Sequence, residues 1–184
     1  MCYHLVMMKR LFLLLVAILG ILSLGFLYKT YAFANAPRES VAKLSYPTGV
    51  IFTAEDLLME ANRLRTLHGV VPLDQDDELI QSAQWKAQDM IENDYFGHKK
   101  PGESGLNGIH MSMEVTGEKC GVVAENLHEN NTGASPFNAG KGIGWVNSAR
   151  HYAVLLDARY DTTGFGYVVK DGRHVFVQHF CDLK

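Results

Sequence analysis

From residue 53 onward, the apolar positions follow first one period and then another. Leu57, Leu58, Ala61, Leu64 and His68 recur at three- and four-residue spacing, one stripe of an amphipathic helix. Thr53 stands at the cap position with Asp56 three residues on, a capping-box-like start with Asp in place of Glu, and Gly69 marks the stop. After an extended link over 70–73, Asp74, Asp76, Asp77 and Glu78 crowd the start of a second helix, where negative charge meets free amides. Its inward face is Leu79, Ile80, Ala83, Ala87, Met90 and Ile91. Residues 97–119 lose the period and read as a long surface excursion around short helices. Residues 121–124 read as a short strand leading into Glu125-Asn126-Leu127. A helix within 130–144 leads into Trp145, and Ser148 caps a further one over 149–156. At the end the period becomes two. Residues 163–169 and 175–180 flank Asp171-Gly172-Arg173, a hairpin signal, with Val175, Val177 and His179 on one face.

The front of the chain differs in kind. Residues 11–27 hold no formal charge and follow Lys9 and Arg10. Two readings stay open: a secretory signal cleaved after Ala32-Phe33-Ala34, or a retained membrane anchor at the short edge of a spanning length. The expected organisation is a signal peptide or anchor over 1–34, a tether over 35–52 with Pro37 and Pro47, and one domain over 53–184. Composition agrees with a folded domain. With 47% hydrophobic and 20% charged residues, the 184-residue chain is no disordered polyelectrolyte. A net charge of -3 speaks against the broad basic surface of nucleic-acid binding. None of the acidic residues lies in 1–34, so the remainder is more acidic still.

No H-E-x-x-H, C-x-x-C, P-loop or G-x-G-x-x-G pattern occurs, so any polar site is assembled from distant segments. Three ionisable residues stand out by context. His98 closes Tyr95-Phe96-Gly97-His98, Glu125 opens Glu125-Asn126-Leu127, and His151 falls three residues after Ser148. In a first helical turn the dipole disfavours imidazolium, leaving a neutral ring able to bind metal or accept a proton; packing between helices is the alternative role. Ser148 as a nucleophile is disfavoured, because a capping serine spends its oxygen on backbone amides.

The runs Asn62-Arg63, Tyr95-Phe96-Gly97-His98, Ala124-Glu125-Asn126-Leu127, Trp145-x-x-Ser148-x-x-His151 and Val177-Gln178-His179-Phe180 together resemble the CAP superfamily. This is the family of cysteine-rich secretory, antigen 5 and pathogenesis-related 1 proteins, or SCP domain, and the likeness is to its bacterial branch. The resemblance spans about residues 54–181. It implies an α+β fold, an α-β-α sandwich with a small antiparallel sheet between helical layers. It also implies a cleft where His98, His151 and Glu125 hold zinc or another divalent cation. The second Glu of eukaryotic members has no counterpart in Val146-Asn147-Ser148, which leaves two nitrogens, one oxygen and water, an open site.

The leading expectation is therefore an extracytoplasmic, secreted or membrane-anchored CAP domain binding a cation and a small-molecule, lipid or peptide-like ligand. The alternatives are a metal-dependent hydrolase of a cell-wall component or peptide, with Glu125 as base, and a structural protein with a cell-envelope partner. Nucleic acid is not an expected partner, and the membrane is one through residues 11–27 if these are uncleaved. In an exported chain Cys120 and Cys181 are the two cysteines of the folded part, both beside predicted strands. A bond between them closes a loop of about 60 residues, worth roughly 4 kcal/mol in the chain-entropy account; two buried thiols are the alternative. Asn130-Asn131-Thr132 is a glycosylation acceptor in a eukaryotic secretory setting only.

Overall fold

A computed structural model describes residues 51–102, 120–137 and 144–182. The expected export element, the tether up to residue 50, most of the 97–119 excursion and residues 138–143 ahead of Trp145 lie outside the described residues. Among the described residues, no helix is long and apolar enough to cross a membrane.

Helix α1 (Ala54–Leu67) starts as the capping pair predicts. Thr53 Oγ1 accepts from the Asp56 amide at 3.1 Å, and the Asp56 carboxylate accepts from the Thr53 amide at 2.9 Å. Two amides are thereby satisfied reciprocally. Gly69 leaves the helix with φ +68°.

The acidic cluster divides between two elements. Asp74 and Gln75 form β1 (Asp74–Gln75), a two-residue strand, whereas Asp76 caps α2 (Asp77–Glu92) by accepting from the Glu78 and Leu79 amides, both at 2.9 Å. The remaining strands are β2 (Val123–Asn130), β3 (Thr162–Lys170) and β4 (Arg173–Cys181), with α3 (Ala149–Leu155) between β2 and β3.

Two sequence expectations are corrected here. The sheet runs β1-β3-β4-β2, with β1 parallel to β3 and the other pairs antiparallel, so it is mixed rather than purely antiparallel. Glu125-Asn126-Leu127 does not follow a short strand but lies inside the eight-residue β2, which pairs with β4 as far as Asn130↔His174. The hairpin holds as read: Asp171 (φ +52°) and Gly172 (φ +77°) make a two-residue turn with both φ positive.

The sheet is covered on both faces. Phe165, Phe176 and Phe180 pack with Leu57, Ala61 and Leu64 of α1 and with Trp145 and Leu155. Val175, Val177 and Leu127 point the other way, against Ala83, Ala87 and Met90 of α2. This is an α-β-α sandwich, and its central strand β4 is buried on both faces. Phe52, counted in the tether on sequence, is buried against Tyr167 and Phe176.

Helix α2 sits directly on β3. A Cβ at Gly164 would fall 2.1 Å from the Leu79 carbonyl carbon, and one at Gly166 would fall 2.3 Å from that of Ala83. At the end of the sheet Cys120 and Cys181 form the disulfide, with a Cα–Cα distance of 5.4 Å. The Asn130 amide closes its own turn, donating to the Ala134 carbonyl and accepting from the Thr132 and Gly133 amides.

Candidate functional site

The register of the sheet sets the geometry. Gly164, His179 and Glu125 lie in one row across β3, β4 and β2, on the face that receives α2. Val177 and Leu127 fill the next positions of that face on β4 and β2, so two polar groups interrupt an apolar surface. Burying such groups is unfavourable unless they are hydrogen-bonded. Here they are. Glu125 Oε2 lies 2.9 Å from His179 Nε2, and Glu125 Oε1 lies 2.7 Å from His98 Nδ1. His179 Nδ1 lies in turn 2.7 Å from Ser82 Oγ, on α2. The Glu125 side chain is 2% exposed and that of His98 is 53% exposed, so the chain of contacts runs from the interior to solvent.

Burial acts to raise the Glu125 pKa, but hydrogen bonds from His179 and His98, then the charges of His179 and Lys86, outweigh it and bring the value from 4.5 down to about 2. Lys86 is itself buried, its Nζ donating to the Tyr95 hydroxyl at 2.8 Å. Glu125 is therefore a carboxylate at any pH near neutral. Being an acceptor only, it requires a hydrogen on Nδ1 of His98 and on Nε2 of His179.

The sign of the linkage follows. A carboxyl whose folded pKa lies below its unfolded one contributes stability above the unfolded value, and loses it as pH falls through the folded value. Between pH 4.5 and about 2 the unfolding free energy should drop by about 3 kcal/mol on account of Glu125. Urea titrations at both ends of this window, for the wild type and Glu125→Gln, check it. An equal acid loss in the two proteins would refute it.

His151 comes from the opposite face of the sheet. Its carbonyl oxygen accepts from Asn126 Nδ2 at 3.1 Å, which ties the start of α3 to β2. The ring is half-buried, and its Nδ1 is enclosed without a hydrogen-bond partner. Its pKa is lowered, first by burial, then by the charges of His98 and Arg150. The neutral ring expected from sequence is thus favoured for a different reason, desolvation and a neighbouring imidazole. Ser148 holds the cap position without making a side-chain cap bond, and α3 is only seven residues long.

Sequence reasoning pointed to His98, Glu125 and His151, and the structure links the first two directly. It also adds Ser82, His179 and Lys86. Ser82 and Lys86 fall on the inward stripe of α2 with Leu79, Ala83 and Met90, and His179 alternates with Val175 and Val177, so their helical and strand periods were visible signals of burial. Among the described residues, no group of three His, Cys, Asp or Glu side chains is gathered to hold a metal ion. Both Glu125 oxygens are engaged by rings. The donors whose chemistry fits a cation are imidazole nitrogens: His98, held through Nδ1 by a carboxylate, and His151, kept neutral.

A family model described as the cysteine-rich secretory protein family, CAP, matches residues 58–180. Among curated proteins, the uncharacterized protein YkwD of Bacillus subtilis is 27% identical over 74% of this chain and 49% of its own length. The uncharacterized membrane protein YlbC of the same organism is 29% identical over 70% of this chain and 34% of its own. The chain thus spans half or less of the curated relatives it matches. Among solved structures, an extracellular SCP-domain protein of Bacillus anthracis superposes with a TM-score of 0.56 at 22% identity, over 70% of this chain and 39% of that one. An outer surface protein of Borrelia burgdorferi gives 0.56 at 24% identity, over 75% of this chain and 100% of that one. These likenesses support the fold.

Proposed function

The chain belongs to the cysteine-rich secretory protein family, and from that premise we propose an extracytoplasmic CAP-domain binding protein. Its cleft takes a divalent cation, zinc or another, at His98 and His151, together with a small-molecule, lipid or peptide-like ligand. One observation carries this reading: a buried, ionised Glu125 fixes the half-exposed His98 through Nδ1 beside a His151 whose charged form is disfavoured. A carboxylate behind a histidine is the supporting arrangement that orients imidazole ligands. Glu125 then acts as the support of a ligand rather than as a ligand. A cation bound there would supply positive charge to a carboxylate or carbonyl oxygen of the ligand.

Location outside the cytoplasm is supported by the Cys120–Cys181 bond and by the extracellular and outer-surface descriptions of the similar structures. Hydrolysis is less well supported. A base must reach the proton it abstracts, and Glu125 is enclosed with both oxygens accepting hydrogen bonds.

Calorimetric titration of the purified protein with zinc tests the reading. His98→Ala and His151→Ala should each weaken binding at least about tenfold, and Glu125→Gln by about ten- to a hundredfold. Undiminished binding in the His98→Ala/His151→Ala double variant would place the cation elsewhere. No binding by the wild type would leave the envelope-interaction role as the better reading.

A further inference from the structure

We propose that His179, anchored by Ser82, is a positioning residue that acts through Glu125 to hold His98 in its Nδ1–H tautomer, with Nε2 presented as the free lone pair. Three contacts make the chain: Ser82 Oγ to His179 Nδ1 at 2.7 Å, His179 Nε2 to Glu125 Oε2 at 2.9 Å, and Glu125 Oε1 to His98 Nδ1 at 2.7 Å. It crosses from α2 through β4 and β2 to the segment after α2. Ser82 and His179 are completely buried, and neither can meet a ligand. Their part is therefore indirect.

Proton placement follows from the acceptor. A carboxylate has no hydrogen to give, so each ring turns an N–H toward it, whatever the charge state of the ring. Neutral His98 is then left with an unprotonated Nε2, because the hydrogen bond made by one ring nitrogen decides the state of the other.

Glu125 alone would hold this arrangement poorly. The terminal torsion of a glutamate is broad and roughly two-fold, so a carboxylate bonded through one oxygen can turn away from His98. The bond from His179 fixes the second oxygen and hence the carboxylate plane. His179 is fixed in turn, since Ser82 meets its other nitrogen. Gly164, its neighbour in the row, lets α2 come close enough for that contact. A valine at 179 would simply continue the apolar face of Val175 and Val177.

This inference deepens the proposed function, resting on His98 as the residue that meets the ligand, but its test needs neither cation nor ligand. Long-range proton–nitrogen correlation spectra of the full chain, labelled with nitrogen-15 in histidine and recorded without metal at pH 8, report the His98 tautomer. The wild type should show Nδ1–H in the majority. His179→Val should lower the Nδ1–H to Nε2–H ratio at His98 at least about fivefold, and Ser82→Ala should lower it to a smaller extent. His179→Gln, which keeps an N–H donor for Glu125, should restore most of the ratio. An Nε2–H majority in the wild type would overturn the proposal, as would an unchanged ratio in folded His179→Val. If the valine variant does not fold, Ser82→Ala decides, and an unchanged ratio there overturns the proposal. Cation titration of the same samples separates the two readings, since the tautomer can hold while binding fails.

Discussion

Replacing Arg65 with methionine is expected to lower the unfolding free energy by at least about 4 kcal/mol. Arg65 lies on the inward side of α1 with no exposed surface. Its Nε donates to the Val71 carbonyl at 2.8 Å, Nη1 to those of Leu155 and Asp157 at 2.8 and 3.0 Å, and Nη2 to that of Tyr160 at 3.1 Å. Burial lowers the pKa of the guanidinium while Asp157 raises it, yet a group with so high an ordinary value stays charged. One side chain thus satisfies four main-chain acceptors, drawn from the link after α1, the end of α3 and the approach to β3. Methionine matches much of the volume but leaves those carbonyls without donors, and the bonds to Leu155 and Tyr160 are fully buried. Each bond to a charged donor contributes about 1.5–3 kcal/mol, and the losses do not add fully because the partners share one site. Lysine keeps the charge without the planar fork and should recover less than half of the loss. Urea denaturation of the three proteins measures this. A loss below 1 kcal/mol for Arg65→Met would show that the bonds are replaceable by water.

The second large effect is at the sheet. Gly164→Ala should destabilise the protein by about 3 kcal/mol, and Gly166→Ala by a similar amount. The atoms met by each new Cβ are helix backbone, which cannot rotate out of the way as a side-chain tip can. Helix α2 would have to lift from β3, loosening the packing of Ala83 and Ala87 on Val175 and Val177. At position 164 the lift also draws Ser82 from His179. Thermal and urea unfolding report the stability. If both variants unfold within 0.5 kcal/mol of the wild type, α2 does not rest on these glycines as described.

Much of the fold is local and therefore legible. The reciprocal bonds of Thr53 and Asp56, the stripe of α2 and the Asp171-Gly172 turn depend on residues a few positions apart. The length of β2 is a different matter. Its second half is held by β4, some fifty residues later, and nothing in Leu127 to Asn130 announces that partner. β1 likewise exists only because β3 runs beside it, so Asp74, which looks like part of a helix start, becomes strand together with Gln75. Of the Asn62-Arg63 run, Asn62 bonds the backbone of Leu73 in both directions and Arg63 pairs with Glu60, while Arg65 two residues on ties distant segments together.

The site was legible to the same degree. His98, Glu125 and His151 stand in recognisable runs, whereas Ser82 and His179 take their meaning from each other across the helix–sheet interface. A serine within an inward helical stripe and a histidine within an apolar strand look individually like tolerated exceptions. Which of them meet is decided by how α2 crosses the sheet, a property of two elements and not of either sequence.

The Cys120–Cys181 bond has a mechanical consequence. Tension applied to the two termini of the chain passes across that bond from residue 120 to residue 181, so residues 121–180 form a covalent loop outside the load path. Glu125, His151 and His179 lie inside the loop, while Ser82 and His98 lie on the stretch that carries the force. Pulling on the termini would therefore draw His98 and Ser82 from their partners before any strand of the loop is extended.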